Sequence, residues 1–319
     1  MAEIIQKDGT WVFDGDALRL TPGRDKSVGP LRATLGELVV PLAALAGVSF
    51  EQGKRAGRLR LRLRDGADPL LLATGGRLAA PHDPYQLVVE SDRFGVAEYL
   101  VDEVRNALLL EQVPAGPVDG FLLPGPSVPL SVSAGDGTAS FDGERVRLEW
   151  NWKTEDAKAA AGTRDLPLDA ITGVEWYPSA GLENGYLRFT VRGAPTKAPP
   201  KYDPNAVDLW GFKKDPLMAL VAAAVQARLP HPAASAGPPR ALPAPAPAAD
   251  GAAPGTVGPD TVRPQTVRAD TVRADTVRPS EDDHDALLRR LRELGELRRE
   301  GVLTDEEFTL AKQAVLKRM

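Results

Sequence analysis

Apolar and polar residues alternate along several short stretches between residues 1 and 229, and each stretch predicts a β-strand. Residues 58–64 read RLRLRLR, which places three leucines on one face of a strand and four arginines on the other. Asp14-Gly15 and Asp142-Gly143 each stand between two alternating stretches, as is typical of a tight hairpin turn. Residues 70–73 and 86–90 are interpreted as two further strands.

Two helices are predicted from a different spacing. Phe94, Ala97, Val101, Val104 and Leu108 recur every three or four residues and form one face of a helix. Further on, Asp215 has the character of an N-cap and Pro216 that of a first helical residue. Strands followed by a closing helix predict an α+β module, in which a curved antiparallel sheet carries a C-terminal helix.

The same pattern occurs twice. GTWVFDGDALRL at 9–20 aligns with GTASFDGERVRL at 137–148, and later segments align as well. These are 40–48 with 166–174, 57–64 with 185–192, and Asp83-Pro84 with Asp203-Pro204. We therefore predict two copies of one domain, at 1–112 and 137–229, with 113–136 as the linker between them.

The order of strands and helix in each copy resembles the pleckstrin-homology-like (PH-like) fold. The FDGxxxRL opening, the PLxxΦxGV strand (Φ, apolar), the LRxxxR strand and the doubled arrangement resemble domain-of-unknown-function family 4429, an actinobacterial family. The resemblance implies two tandem PH-like modules and supplies no activity.

Residues 230–279 consist mainly of Ala, Pro, Gly, Thr and Val, and their composition predicts a disordered linker. A five-residue repeat, TVGPD-TVRPQ-TVRAD-TVRAD-TVRPS, occupies 256–280. One interpretation is a lengthened tether. The alternative is that Thr261, Thr266, Thr271 and Thr276 are phosphoacceptors, each followed by an arginine that a phosphothreonine-binding partner would also contact.

Residues 280–319 predict a helical hairpin with one apolar stripe. Its residues are Leu287, Leu291, Leu294 and Leu297 on the first helix and Phe308, Ala311 and Val315 on the second. The segment, with its GVLTDEEF core, resembles the SHOCT domain, which implies oligomerisation or docking. Because so short a unit cannot build its own core, the stripe needs a partner surface. We favour self-association, followed by docking onto another protein and then by folding back onto this chain.

Composition narrows the possible functions. The net charge of −5 gives no general support for nucleic-acid binding, and the absence of cysteine excludes thiolate metal sites, iron–sulfur clusters and cysteine nucleophiles. No P-loop, G-x-S-x-G or H-E-x-x-H motif is present. The carboxylates at 14, 16, 142 and 144 belong to the repeated turns, so we attribute them to turn formation. We expect a non-enzymatic protein without cofactor or metal.

The N-terminus shows no signal peptide and no segment has the length of a membrane span, so we expect a cytoplasmic protein. Tryptophans 11, 150, 152, 176 and 210 are expected in core or inter-domain packing, with Trp150 and Trp152 on one strand face; the alternative is a peptide-binding groove.

Comparison of the two copies also indicates which of the four arginines at 58–64, here called the arginine row, recur. The leucine positions of 58–64 stay apolar in the second copy, but only Arg60 with Arg188 and Arg64 with Arg192 recur among the arginines. These four residues either bridge repeated acidic residues or mark a shared contact surface. The sequence favours a scaffold or adaptor that binds protein or peptide partners through its modules and forms homo-oligomers through 280–319. The alternatives are a peripheral protein of anionic lipid surfaces and an adaptor regulated by phosphothreonine.

Overall fold

The computed structural model describes residues 1–193 and 198–235, which belong to one compact unit, Met1–Ala244. Four antiparallel sheets, two from each copy, and a few helices make up these residues. The predicted α+β class is confirmed. The predicted C-terminal hairpin lies outside the described residues.

The first repeat contains a four-stranded and a three-stranded sheet. The first has the order β1 (Ala2–Gln6), β2 (Gly9–Phe13), β3 (Ala17–Pro22) and β4 (Leu38–Pro41), with α1 (Pro30–Leu35) between β3 and β4. The second consists of β5 (Leu45–Glu51), β6 (Ala56–Leu63) and β7 (Gln86–Glu90), with α2 (Pro69–Thr74) between β6 and β7. Helix α3 (Phe94–Leu110) then closes the repeat.

The second repeat has the same order of strands. Its sheets are β8 (Leu130–Ala134), β9 (Gly137–Phe141), β10 (Arg145–Trp150) and β11 (Arg164–Pro167), followed by β12 (Ile171–Tyr177), β13 (Gly185–Val191) and β14 (Ala206–Leu209). Its helices are α4 (Asp156–Ala161), between β10 and β11, α5 (Met218–Gln226) and α6 (Pro232–Ser235). Strand β8 lies within 113–136, so the first sheet of this repeat begins inside the range predicted as a linker.

The register of the strands verifies the repeat in detail. In the pair β5–β6 a bulge separates Leu45 from Gly47, and in β12–β13 the same bulge separates Ile171 from Gly173. Both Asp-Gly turns are also present, because Gly15 and Gly143 have φ of 113° and 112°, a region that L side chains rarely adopt. The predicted hairpins are therefore confirmed.

One predicted strand is wrong. Residues 70–73 belong to helix α2, which the Asp68 carboxylate caps by accepting from the N–H groups of Leu70 and Leu71. Pro69 occupies the first turn, and the left-handed Gly75 ends the helix. A short unbroken apolar run does not distinguish strand from helix, and here these flanking residues determine the outcome.

The predicted N-cap of the last helix is also wrong in detail. A 3-10 turn at Asp215–Leu217 precedes α5, and Pro216 lies in its first turn. The Asp215 carboxylate accepts hydrogen bonds from the backbone N–H groups of Gly211 and Phe212. Asp215 thus holds the preceding loop rather than the first turn of the helix.

The two repeats share a core. Every residue of α5 is buried, because α5 contacts four strands of its own repeat on one side and helices α1 and α2 of the first repeat on the other. Leu31, Leu70, Ala73 and Leu78 of the first repeat belong to the same apolar cluster as α5. The larger contacts of helix α3 are with strands of its own repeat, and one of its faces lies in solvent.

Candidate functional site

The arginine row has the predicted amphipathic arrangement. Leu59, Leu61 and Leu63 of β6 are buried, whereas Arg58 and Arg62 are exposed and Arg60 and Arg64 are partly buried. The row is therefore the outer side of a strand. Register places Arg60 opposite Ser49 and Arg188 opposite Glu175 at the same distance from the bulge, so the two are true counterparts.

Arg188 forms an ion pair with a buried carboxylate. Its Nε lies 3.1 Å from Oδ2 of Asp203, which is completely buried, and its Nη2 donates to the carbonyl of Ala198 at 2.7 Å. Asp203 is one of the aligned Asp-Pro aspartates and also accepts from the N–H of Asn205. One of the two predicted roles, bridging a repeated acidic residue, is therefore present in the second repeat.

Arg60 has no such partner. The corresponding carboxylate, Asp83, accepts from the Nε2 amide of Gln86, and the Nε of Arg60 is buried with no hydrogen-bond partner. Gln86 lies opposite Arg60 in the sheet, where the second repeat has Ala206 opposite Arg188. Gln86 of β7 thus occupies the position at Asp83 that Arg188 occupies at Asp203.

Arg64 holds the segment that follows α3. Its Nε donates to the carbonyl of Gly116 at 2.8 Å, its Nη2 to that of Pro117 at 3.3 Å, and its Nη1 to that of Ala43 at 3.0 Å. Backbone bonds continue this attachment, from the N–H of Val118 to Asp65 and from those of Leu122 and Leu123 to Ala67. Arg64 is therefore a positioning residue for the chain between the repeats.

Arg192 occupies the corresponding place in the second repeat and is exposed. Its backbone N–H bonds to the carbonyl of Ala170 at 2.8 Å, as that of Arg64 bonds to Ala44. Within the described residues its guanidinium has neither a hydrogen bond nor an ion pair. A groove of about 810 Å³ opens beside it, lined among others by Glu144, Arg145, Asp169, Arg192, Arg228 and Pro230. The four predicted arginines thus have four different environments.

Each repeat also contains a buried cation–aspartate pair that the sequence analysis missed. In the first repeat, Arg32 of α1 donates to the carboxylate of Asp8 at 3.4 Å and to its carbonyl at 2.8 Å. In the second, the ammonium of Lys158 on α4 donates to Asp136 and to the carbonyl of Pro200. Both aspartates also accept a backbone N–H of the last strand, from Val88 and Asp208 respectively. The pair therefore joins the two sheets of each repeat.

A signal for these pairs was present in the sequence. Asp8 and Asp136 directly precede the glycines at which the repeat alignment began. Their cations lie on the short helices between the third and fourth strands, outside the aligned segments. Burial raises the pKa of Asp136 despite Lys158, and burial raises that of the neighbouring Asp208 to about 6.

The aspartates of the two acidic turns accept the hydrogen bonds that form these turns. Asp14 accepts from the N–H groups of Asp16 and Ala17, and Asp142 from those of Glu144 and Arg145. Bonds from Ala17 and Glu144, respectively, are the largest of several that lower the pKa of each carboxyl. Both aspartates are fully ionised turn residues at neutral pH.

One tryptophan differs from the rest. Strand β10 ends at Trp150, and Trp152 lies in the following turn with 76 % of its surface exposed, so the two do not share a strand face. The turn is fixed by bonds from Asn151 to the carbonyl of Gly135 and from Thr154 to that of Asp136. The ammonium of Lys153 lies 5.1 Å from the Trp152 ring and 5.4 Å from the Trp210 ring.

The aromatic patch consists of exposed Trp152 and of Lys153, Trp210 and Phe212, which are partly buried. The rings of Trp210 and Phe212 meet edge to face at 6.1 Å, and Lys213 and Lys214 follow in an exposed loop. An indole held in water by an ordered turn is costly to leave uncovered, so the patch is a candidate contact surface.

The remaining predicted site residues, which are the apolar stripe within 280–319 and the four linker threonines, lie outside the described residues. Within 1–193 and 198–235, no cluster of three or more metal-ligating side chains occurs. In the same part of the chain, every helix is too short or too polar to cross a membrane.

Comparison with known proteins agrees with the repeat. The model of a family described as "Domain of unknown function (DUF4429)" matches residues 11–105 and 139–226. No curated protein matches the chain. The two matched ranges correspond to the two structural repeats and together cover more than half of the sequence, so the chain belongs to the DUF4429 family and carries its domain twice.

Proposed function

We propose that this protein is a non-enzymatic scaffold. In this proposal two PH-like modules bind protein or peptide partners, and the SHOCT-like hairpin at 280–319 joins copies of the chain or docks onto another protein. The order of elements supports the PH-like assignment, since each repeat has a four-stranded sheet, then a three-stranded sheet, then a helix.

The observation that carries the proposal is the burial of α5 between the repeats. Because helices α1 and α2 of the first repeat cover α5 of the second, the two modules share an apolar cluster. Surfaces on such a body are presented at a fixed spacing, which favours binding at two points of one partner or assembly. Joining several bodies through a hairpin would raise the avidity of weak contacts further.

The test compares the full chain with a variant that ends at Pro279. We expect the full chain to elute as an oligomer in size-exclusion chromatography with light scattering, and the truncated chain to be monomeric with unchanged circular dichroism from the sheets. The Leu291→Glu, Leu294→Glu double variant of the full chain serves as a matched control and should also be monomeric. An oligomer that persists in both variants would place self-association elsewhere and overturn this part of the proposal.

A second candidate function rests on the aromatic patch. Exposed Trp152 beside Lys153, Lys213 and Lys214 combines an indole with cations, a composition suited to the interface of an anionic membrane. We expect co-sedimentation with vesicles of phosphatidylserine and phosphatidylcholine, and its loss in the Trp152→Ala variant. Exposed Leu182→Ala is the control. Equal binding by both variants, or none by the wild type, would leave protein binding as the function of the patch.

A further inference from the structure

In the first repeat, Arg64 binds the chain that follows the closing helix. Its guanidinium donates to the carbonyls of Gly116 and Pro117. The next residue, Val118, donates its N–H to the carbonyl of Asp65 and packs against the core of the repeat. The bound segment belongs to no helix or strand. The first repeat thus contains a carbonyl-binding site, for which a guanidinium is suited because it presents five donors in a fixed plane and no acceptor.

The second repeat has the same main chain around this position. The N–H of Leu168 bonds to the carbonyl of Glu144 at 2.8 Å. In the first repeat the N–H of Leu42 bonds to the carbonyl of Asp16 at the same distance. These bonds and the strand register give Arg192 the same main-chain surroundings as the arginine of the first repeat.

An open groove lies beside Arg192. Its volume of about 810 Å³ is in the range of ligand-binding clefts, and among the described residues the guanidinium of Arg192 has no acceptor. Leu168, Ile171 and Leu229 also line the groove and offer an apolar surface to a side chain such as that of Val118. The second repeat therefore has the donor and the walls of the carbonyl-binding site, and between them a volume that no described residue fills.

The chain after α5 follows a different course from the chain after α3. Pro230 lines the groove, but the ring of His231 bonds to the carbonyl of Gly66 in the first repeat at 3.0 Å. The same ring meets that of Phe121 edge to face at 4.8 Å, and helix α6 begins at the next residue. In the first repeat the corresponding chain stays beside Arg64, whereas here it crosses to the other repeat.

We infer that the groove beside Arg192 binds a non-helical segment of a partner protein, with the guanidinium donating to two successive main-chain carbonyls. The occupied site of the first repeat indicates the chemistry of this segment. A Gly-Pro step supplies the two carbonyls, and an apolar residue follows whose N–H bonds to the carbonyl of Gly193, the counterpart of Asp65. Proline suits its place because it has no N–H to leave unpaired. The inference rests on the proposed function and names the class of peptide that the second module takes.

A synthetic peptide tests the inference on the full chain. The probe has the sequence of residues 113–119, VPAGPVD, with blocked termini and a fluorophore, and fluorescence anisotropy measures its Kd. We expect saturable binding to the wild type and a Kd about tenfold higher for Arg192→Ala, which loses charge-assisted hydrogen bonds. Arg192 is exposed, so this variant should keep the circular dichroism of the wild type. The matched control, Arg62→Ala, removes an exposed arginine outside the groove and should leave the Kd unchanged.

Photocrosslinking locates the bound probe. A second probe carries benzoylphenylalanine in place of Val118, and peptide mass spectrometry identifies the adducts, which we expect on residues 168–172 or on Gly193. Absence of saturable binding, or a Kd independent of Arg192, would overturn the inference. Adducts confined to the first repeat would also overturn it, because the probe would then have exchanged with residues 116–118. None of these outcomes affects self-association through 280–319, which the chromatography of the truncated chain tests separately.

Discussion

The closing helices of the two repeats differ far more than the sheets beneath them. Outside the faces that pack against their sheets, α3 has charged residues at positions where α5 has three alanines and one glutamine, all of them buried. The pairs are Glu98 with Ala219, Asp102 with Ala223, Glu103 with Ala224, and Arg105 with Gln226. This difference follows from surroundings, since α3 meets water where α5 meets α1 and α2. The closing helix of the domain is thus partly exposed to solvent in the first repeat and buried in an interface in the second.

The largest effect is expected when a charged residue, such as α3 carries, is introduced at the corresponding position of α5. Ala223→Glu would place a carboxylate without a partner at a completely buried position of α5, and we expect a loss of about 4 kcal/mol or more in the free energy of unfolding. Urea denaturation followed by tryptophan fluorescence measures it. Asp102→Ala on α3 is the matched control and should change stability by less than about 0.5 kcal/mol. Similar values for the two variants would contradict the comparison.

The next effect concerns the buried cation–aspartate pair. Lys158→Met leaves Asp136 buried and unpaired, so we expect a loss of about 3 kcal/mol, measured by the same urea titration. The double variant Lys158→Met, Asp136→Asn removes the uncompensated charge and should recover more than half of that loss. A double variant no more stable than the single one would show that packing, and not charge, determines the effect.

A smaller difference in the free energy of unfolding is expected between variants of the corresponding arginines Arg188 and Arg60. Arg188→Met keeps the aliphatic stem but deprives the buried Asp203 of its ion pair, and we expect a loss of about 2 kcal/mol. Arg60→Met removes a guanidinium that forms no ion pair with Asp83, which accepts from Gln86 instead, so it should cost less than about 0.5 kcal/mol. Thermal unfolding by circular dichroism ranks the two variants. Equal losses would mean that Arg60 has an energetic role that its contacts do not explain.

These contrasts indicate which features the sequence could predict. The Asp-Gly turns and the inward leucines of β6 depend on local pattern, so the sequence predicted them correctly. The α5 segment MALVAAAVQ also carries a local signal, because a helix that is apolar on all sides is buried on all sides. The segment therefore predicts a covering layer, and α2, whose short apolar run taken alone favours a strand, belongs to that layer.

Other features depend on residues distant in sequence and could not be predicted in that way. Gln86 rather than Arg60 bonds to Asp83, and this outcome depends on which residues face each other on two neighbouring strands. The pairing of Asp8 with Arg32 depends on the position of a helix that lies outside the aligned segments. The recurrence of four arginines was visible in sequence, but the different environment of each follows only from tertiary structure.

The smallest expected effect is a dependence of stability on pH that involves Asp208 of the second repeat. Burial raises the pKa of Asp208 to about 6, above its ordinary value near 3.8, so the folded chain holds a proton that the unfolded chain releases between these values. Its stabilising contribution is therefore complete below about pH 4 and lost as the pH rises through 6. We expect Asp208→Asn to remove this decline, measured by urea denaturation at about pH 4 and pH 7. The first repeat has Val88 at the corresponding position, so Val88→Ala should leave the difference between the two pH values unchanged. A decline that persists in Asp208→Asn would show that another group, such as Asp136 or Asp215, whose pKa values burial also raises, is responsible.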